Sequence, residues 1–290
     1  MSTSDSTRVI FVVGVGRSGT SLLHALLSTG DNLCVLQETG LIRRRGLSAT
    51  LRDLQDDRRF YRNYDLYMSF DPDLSLREFY ISLMNQYPTI LDKDPGLVTH
   101  ISEVFKGLSS ATFVHIIRNP IDVIESKKKA AWSKGRYFHT YALIHAVQLL
   151  SVKQAKGSGV PVVEIFYEDV VADPWKEISE LGQSIQIGVE QKKIERHGEY
   201  SRVTVFSDEY DWKRQVNTNI ENYKRAEGST LSAVQRSTMA YLMEMLGYRR
   251  YSNDIEKPAI GIVNFFSWTS AVVVIIAARI VIFTNVRKIL

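Results

Sequence analysis

Cysteine is nearly absent from this sequence, since Cys34 is the only one among 290 residues. An internal disulfide is therefore excluded, and a chain without disulfides fits a reducing compartment. Cys34 lies in a short apolar run, so we expect its thiol to be a small core group. The first seven residues lack the basic and apolar regions of a secretory signal, which predicts a cytoplasmic location for the folded domain.

The sequence also lacks a large excess of either charge. Its net charge is only +4, from 36 basic and 32 acidic residues, which argues against duplex nucleic acid as a partner. The apolar share of 44% and the charged share of 23% are typical of a globular protein. No internal repeat or low-complexity linker is visible, and this length favours one large α/β domain over two small ones.

Short apolar runs alternate with helical patterns along most of the chain. Buried strands are predicted at Arg8–Val13, 89–91, 112–117 and 160–167. Helices are predicted at Thr20–Leu27, at 97–106, after Pro120 with Asn119 as the cap, and from 172–174 onward. This order predicts an α/β fold with a doubly wound, mainly parallel sheet flanked by helices, in one domain over residues 8–250.

A glycine-rich turn at residues 14–21 follows the first predicted strand and precedes the first predicted helix. Such a turn points backbone N–H groups at phosphate oxygens, and the helix N-terminus adds partial positive charge. The loop lacks the lysine of nucleoside triphosphatases, because Thr20 stands at that position and Arg17 is its cation. A strand ending in an aspartate for Mg²⁺ is not evident either. A phosphate cradle is favoured, with a glycine turn that binds nothing as the alternative.

A second strand, turn and helix places Arg118 at the end of strand 112–117 and Ser126 eight residues later. Ligands of open α/β sheets bind at such strand ends, so Arg118 and Ser126 can form a second anion site. The alternative pairs Arg118 with Asp122 or Glu125 and leaves Ser126 in solvent. The three lysines at 127–129 are expected to form a solvated face.

The segment VVGVGRSGTSLLHALL resembles the 5′-phosphosulfate loop of the sulfotransferase superfamily, above all its bacterial and tyrosylprotein members. The resemblance implies a P-loop fold, with 3′-phosphoadenylyl sulfate (PAPS) as sulfuryl donor and PAP as product. It assigns the 5′-phosphosulfate to Arg17, Ser18, Gly19, Thr20 and Ser21. Arg118 and Ser126 match the 3′-phosphate motif, and Tyr167 matches a nucleotide contact in segment 166–174. Residues 211–214 and 246–248 are similar to the closing segment, which contains a tryptophan.

The same resemblance implies the catalytic groups. Glu38 matches the general base of tyrosylprotein sulfotransferases, and Lys93 matches the lysine that stabilises the transferring sulfuryl group, together with Arg17. Gly40 stands where those enzymes often have an arginine, and arginines follow only at 43–45. The residues alone also allow Glu38 to cap a helix and Lys93 to pair with a neighbouring aspartate. No Cys/His cluster is present, so no metal is expected.

The chain from residue 259 to residue 278 has no charged side chain. Twenty residues of helix cover the hydrocarbon core of a bilayer, which is about 30 Å thick. We expect an apolar C-terminal helix over 259–284 that associates with a membrane, either spanning it or lying at its surface. Arg279 would then reach a headgroup layer. A buried terminal helix is the alternative.

These features predict a sulfotransferase that acts on a hydroxyl of a carbohydrate, a lipid or another membrane-proximal acceptor. Residues 43–73, rich in Arg, Asp and Tyr, are expected to contribute to the acceptor cleft. Two alternatives remain. One is a membrane-tethered nucleotide-binding protein without activity, and the other is a P-loop kinase or triphosphatase, which Thr20 disfavours.

Overall fold

A computed structural model describes residues 8–38, 40–55, 63–130, 136–203, 220, 229–255 and 261–284. Five strands form one sheet in the order β2-β3-β1-β4-β5, and every neighbouring pair is parallel. The strands are β1 (Arg8–Val13), β2 (Leu33–Val35), β3 (Thr89–Lys93), β4 (Ala111–Ile117) and β5 (Val162–Phe166). The predicted parallel α/β fold is confirmed.

Helices connect the strands and cover both faces of the sheet. The α-helices are α1 (Thr20–Leu27), α2 (Leu41–Arg45), α3 (Tyr64–Met68), α4 (Leu76–Met84), α5 (Ile101–Gly107), α6 (Pro120–Lys129), α7 (Phe138–Gly157), α8 (Tyr167–Ala172), α9 (Pro174–Ile185), α10 (Gln191–Glu195), α11 (His197–Tyr200), α12 (Ala233–Met245), α13 (Arg249–Asp254) and α14 (Gly261–Phe283). Short 3-10 helices span Leu51–Leu54 and Pro95–Thr99.

The helix predicted at 97–106 is divided into a 3-10 helix and α5. Asp94 caps the first part, because its Oδ1 accepts a hydrogen bond from the Gly96 N–H at 3.1 Å. His100 then leaves helical geometry, with φ of −119° and ψ of 10°, before α5 begins. By contrast, Asn119 caps α6 as predicted, with Pro120 in its first turn and the Ile121 N–H 2.9 Å from Asn119 Oδ1.

The core lies on both faces of the central strand β1. Successive side chains of a strand point to opposite faces, so Ile10 and Val12 pack with α1 and α9, while Phe11 packs with α4 and α5. The Phe11 ring stacks on Phe113 of β4 with centroids 5.6 Å apart. Cys34 is buried as predicted, and burial raises the pKa of its thiol to about 11.

The C-terminal helices form a further layer against α7. Both α12 and α14 pack on α7, and α14 also packs along α12. Tyr251 of α13 is fully buried, and its hydroxyl donates to Glu168 Oε2 at 2.5 Å. The other oxygen of Glu168 accepts the Asn119 N–H at 2.8 Å. This carboxylate therefore ties α13 to the start of α6, close to the carboxyl ends of β4 and β5.

Candidate active site

Each strand of the sheet leads at its carboxyl end into a residue that the sequence singled out. Across the sheet from β2 to β5 the order is Glu38, Lys93, the loop 14–21, Arg118 and Tyr167. Parallel strands place their carboxyl ends at one edge, and ligands of open α/β sheets bind there, where the crossovers change direction. In this sheet that point lies between β1 and β4, which carry the loop and Arg118.

The glycines of loop 14–21 allow it to approach β4 and α8 closely. A Cβ atom on Gly14 would lie 2.7 Å from the carbonyl oxygen of Ile116. Gly19 has φ of +100°, and a Cβ there would overlap the Tyr167 ring. Around Gly16 nothing lies within 4 Å of such an atom. The loop is therefore packed against the protein at both ends and open in the middle.

Two anion-binding segments predicted separately meet at Arg17. The Nε atom of Arg17 donates to Ser126 Oγ at 2.9 Å, and Arg118 Nη1 lies 3.4 Å from the carbonyl oxygen of Arg17. The backbone of Arg17 has φ of +80°, a left-handed conformation that is energetically unfavourable for residues other than glycine. The turn therefore places the Arg17 guanidinium against α6 and the Arg17 backbone next to Arg118.

Arg118 lies over the ring of Tyr167, with its Cζ atom 4.2 Å from the ring centroid. Its Nε atom and Ser18 Oγ are buried and have no hydrogen-bond partner within the described ranges. Thr20 and Ser21 open α1, whose first-turn N–H groups receive no side-chain cap from Gly19. These groups can donate hydrogen bonds to a bound anion.

Glu38 and Lys93 form an ion pair at the ends of β2 and β3. Lys93 Nζ lies 2.6 Å from Glu38 Oε2, and the two side chains are 8% and 22% exposed. The capping position of α2 is Gly40, with φ of +67°, so Glu38 does not cap that helix. Lys93 does not form a surface pair, because its side chain is buried. Thr39 lies outside the described residues.

Buried carboxylates flank this pair. Asp92 accepts hydrogen bonds from the Tyr80 hydroxyl at 2.5 Å and from the Lys93 N–H at 2.7 Å, and burial raises its pKa to about 6. Burial, together with the negative charge of Glu38, also raises the pKa of Asp94. The cations Arg43 and Lys93 act against that rise. Three carboxylates, Glu38, Asp92 and Asp94, therefore lie near the two cations Lys93 and Arg43.

Two residues near the Glu38–Lys93 pair were not predicted as site residues from the sequence. His24 of α1 is fully buried, and burial together with the charge of Lys93 lowers its pKa to about 3, so its ring is neutral. Arg43 of α2 lies directly on Gly96, where any Cβ atom would overlap the guanidinium. The run of arginines at 43–45 was visible, but only the packing of α2 on the 3-10 helix Pro95–Thr99 selects Arg43.

The prediction of a solvated lysine face is wrong for Lys127. Its side chain is buried, and burial, with a smaller effect of Arg136, lowers its pKa to about 8. Lys128 and Lys129 are exposed as predicted. The difference arises because Lys127 points inward from α6, towards the buried His145 of α7. Burial, with a smaller effect of the charge on Lys127, lowers the pKa of His145 to about 3.

Residues 211–214 of the predicted closing segment lie outside the described residues. Leu246 and Tyr248, from the same motif, directly follow α12 in the chain and are buried. In the part of the chain that the structure describes, no three His, Cys, Asp or Glu side chains stand together as metal ligands.

Comparison with known proteins decides the family. The model of the Sulfotransferase family matches residues 9–191, which is well over half of the chain. The chain belongs to the sulfotransferase family. A search of curated proteins returned no match.

Solved sulfotransferase structures share the fold. The sulfotransferase domain of the curacin biosynthetic pathway is 18% identical, with a TM-score of 0.53, over 69% of this chain and 81% of that domain. The sulfotransferase domain of the Synechococcus PCC 7002 olefin synthase is also 18% identical, with a TM-score of 0.52. That match covers 94% of this chain and 97% of the domain. At this identity the likeness concerns the fold.

Proposed function

We propose that this sulfotransferase moves a sulfuryl group from PAPS to an acceptor hydroxyl, with Glu38 as the base. The observation that carries the proposal is the Glu38–Lys93 ion pair of 2.6 Å at the same sheet edge as the Arg17–Ser126 hydrogen bond. Glu38, which can accept a proton, lies on one side of the loop 14–21, and Arg118 and Ser126 lie on the other side.

The donor would bind across β1, β4 and β5. The 5′-phosphosulfate is assigned to Arg17, Ser18, Gly19, Thr20 and Ser21. Arg118 and Ser126 are assigned to the 3′-phosphate, which ATP lacks, and the Tyr167 ring to the nucleotide. Support comes from the donors on Arg118 Nε and Ser18 Oγ, which find no acceptor among the described residues. Guanidinium groups suit phosphate oxygens because they can donate two parallel hydrogen bonds.

In the proposed reaction the acceptor oxygen forms a bond to sulfur while the bond from sulfur to the bridging phosphate oxygen breaks. The electron pair of that bond leaves with PAP, and the acceptor proton passes to Glu38. Lys93 favours the ionised form of Glu38, which the base needs before attack. Lys93 and Arg17 then stabilise the negative charge that develops on the transferring group and the leaving oxygen.

The acceptor is proposed to carry its hydroxyl on a carbohydrate, a lipid or another molecule close to a membrane. Support comes from α14, which by length and composition is the described helix suited to a membrane. Residues 43–73 are proposed to contribute to the acceptor cleft, because Arg43 reaches Gly96 beside Asp94. The catalytic domain would face the cytoplasm.

Calorimetry with PAP and incubation with labelled PAPS and acceptor extracts test the proposal. We expect PAP to bind, and label to reach an acceptor with wild-type protein but not with Glu38→Gln. The absence of PAP binding would contradict the proposal. PAP binding without turnover by the wild type would identify a nucleotide-binding protein, and Mg²⁺-dependent ATP hydrolysis would identify a P-loop triphosphatase.

A further inference from the structure

The C-terminal helix α14 has a packed face made of small side chains. Ser267, Ala271, Val274 and Ala278 are buried, and their spacing of four, three and four residues forms one stripe along a helix. This stripe contacts α12 and α7. The Ser267 hydroxyl lies 3.3 Å from the carbonyl oxygen of Val234. The helix is thus attached lengthwise to the catalytic domain.

The opposite face of α14 is apolar and exposed over the whole length of the helix. Its exposed members are Phe265, Phe266, Trp268, Val273, Ile276, Ile280 and Phe283. Phe265 is 63% exposed at one end and Phe283 is 89% exposed at the other. A helix of 23 residues is about 34 Å long. A continuous apolar surface of this length marks an interaction site.

The charges of α14 favour lipid over a second copy of the chain. The helix contains no Asp or Glu, and Arg279 is exposed. If two copies packed through this face, Arg279 would enter an apolar interface where α14 supplies no carboxylate to pair with it. At a lipid surface the same side chain extends to the phosphates, while the Trp268 ring lies at headgroup depth.

The packed face argues against a spanning orientation. To cross a bilayer alone, α14 would have to leave α12 and expose Met239, Leu242 and Met243, which are fully buried. To cross while docked, it would carry α7 and α12 into the hydrocarbon, including the exposed Lys153 and Glu244. Charged side chains at the bilayer centre are costly. Lying in the surface avoids both costs.

We propose that α14 stays docked on α7 and α12 and lies in the plane of one membrane leaflet. Its outer face enters the boundary between headgroups and acyl chains, and Arg279 contacts lipid phosphates. The inference deepens the membrane contact in the proposed function and rests on it for the placement of the acceptor. It makes the enzyme a monotopic protein whose catalytic domain has a fixed orientation to the surface.

Flotation with phosphatidylcholine vesicles, with and without phosphatidylglycerol, tests the surface. We expect the full chain to float, more strongly with phosphatidylglycerol, and Arg279→Ala to lose this preference for the anionic lipid. The triple variant Val273→Asn, Ile276→Asn, Ile280→Asn should not bind the vesicles and should remain in the bottom fraction. Its thermal stability should equal that of the wild type. The control Met68→Asn, Tyr137→Asn removes exposed apolar groups elsewhere and should float normally.

The depth of labelled α14 residues in the bilayer distinguishes a helix that lies in the membrane surface from one that spans the membrane. The variants Phe266→Cys, Val273→Cys and Ile280→Cys, each in a Cys34→Ala background, carry a fluorophore on the new thiol. Lipids with a nitroxide at a shallow or a deep position quench this fluorophore. A helix in the plane gives the same shallow depth at the three sites. If the fluorophore at Val273 were the deepest of the three, the helix would span the membrane and the proposal would be wrong. If the protein formed a dimer in solution and did not bind vesicles, the exposed face would bind a second copy of the chain instead.

Calorimetry with PAP on the same preparations keeps the two proposals apart. Loss of PAP binding with normal flotation would contradict only the proposed function. Normal PAP binding without flotation would contradict only the membrane surface.

Discussion

Arg17 Nε donates a hydrogen bond to Ser126 Oγ at 2.9 Å, although 109 residues separate the two along the chain. The bond joins the loop after β1 to the helix after β4, so it connects the two proposed anion sites. We therefore expect the two residues to be coupled when PAP binds. A double-mutant cycle with Arg17→Met and Ser126→Ala, measured by calorimetry, should give a coupling energy of about 0.5 to 3 kcal/mol.

The matched control for this cycle pairs Arg17→Met with Ser179→Ala. Ser179 lies on α9 and donates to the carbonyl of Lys176 at 3.0 Å, away from the loop. For that pair, the changes in PAP binding free energy caused by the two single substitutions should add up to the change in the double variant. Additivity of Arg17 and Ser126 as well would mean that the two anion sites act independently.

Replacing the proposed base should slow turnover strongly and preserve the fold. Glu38→Gln keeps the size of the side chain but removes the proton acceptor, and general-base catalysis contributes about 10² to 10⁴ in rate. PAP release from PAPS, followed with acceptor present, should fall by that factor while PAP affinity changes little. Glu103→Gln, at an exposed position on α5, should retain full activity. A Glu38→Gln enzyme as fast as the wild type would remove Glu38 from the mechanism.

The buried Lys127 should make stability depend on alkaline pH. Its pKa is lowered from 10.5 to about 8 by burial, so between these values the unfolded chain binds the proton more tightly than the folded chain. Stability contributed by this group therefore rises as pH rises from about 8 to about 10.5. Lys127→Met should stabilise the protein at pH 7 by about 3 kcal/mol at most, measured by urea unfolding.

The advantage of Lys127→Met should shrink as the pH increases through that window. Lys128→Met, at the exposed neighbouring position, should change stability little at any pH. An advantage that stays constant from pH 7 to pH 10 would show that packing, and not titration, explains the effect of the substitution.

The contact between Arg43 and Gly96 can be tested by adding one carbon atom. In Gly96→Ala the new Cβ overlaps the Arg43 guanidinium, so the arginine must move away from Asp94. If Arg43 supports the charges around Glu38, turnover should fall about tenfold, which corresponds to about 1.4 kcal/mol, with PAP affinity unchanged. Arg43→Met should lower turnover to a similar extent. The double variant Arg43→Met, Gly96→Ala should have nearly the same turnover as Arg43→Met alone.

Gly157→Ala provides a matched control, since nothing lies within 4 Å of a Cβ at that position. It should behave as the wild type. A Gly96→Ala enzyme with normal turnover would contradict a role for Arg43 beside the base.

The sequence predicted the parts of this fold that depend on local patterns. The glycine loop, the cap at Asn119 and the buried strand β1 are each set by residues within one short segment. The structure places Glu38 three residues after β2 and Lys93 at the end of β3. Their pairing at 2.6 Å depends on β2 lying next to β3, which follows from the sheet order.

What the sequence did not predict depends on contacts between distant segments. Nothing local distinguishes Lys127 from the two lysines after it, and only the packing of the folded chain around it, with His145 nearby, makes it buried. The same is true of Arg43 among three arginines. The apolar stretch at the C-terminus predicted a helix, but its split into a packed and an exposed face requires the surfaces of α7 and α12.

The placement of the site along the sheet has a consequence for how such an enzyme can diversify. The groups assigned to the nucleotide follow β1, β4 and β5, whereas Glu38 and Lys93 follow β2 and β3. The described residues between β2 and β3 include α2, whose Arg43 lies on Gly96, two residues after Asp94. If residues 43–73 contribute to the acceptor cleft, as proposed, exchanging them between relatives should change the acceptor and leave PAP binding unchanged.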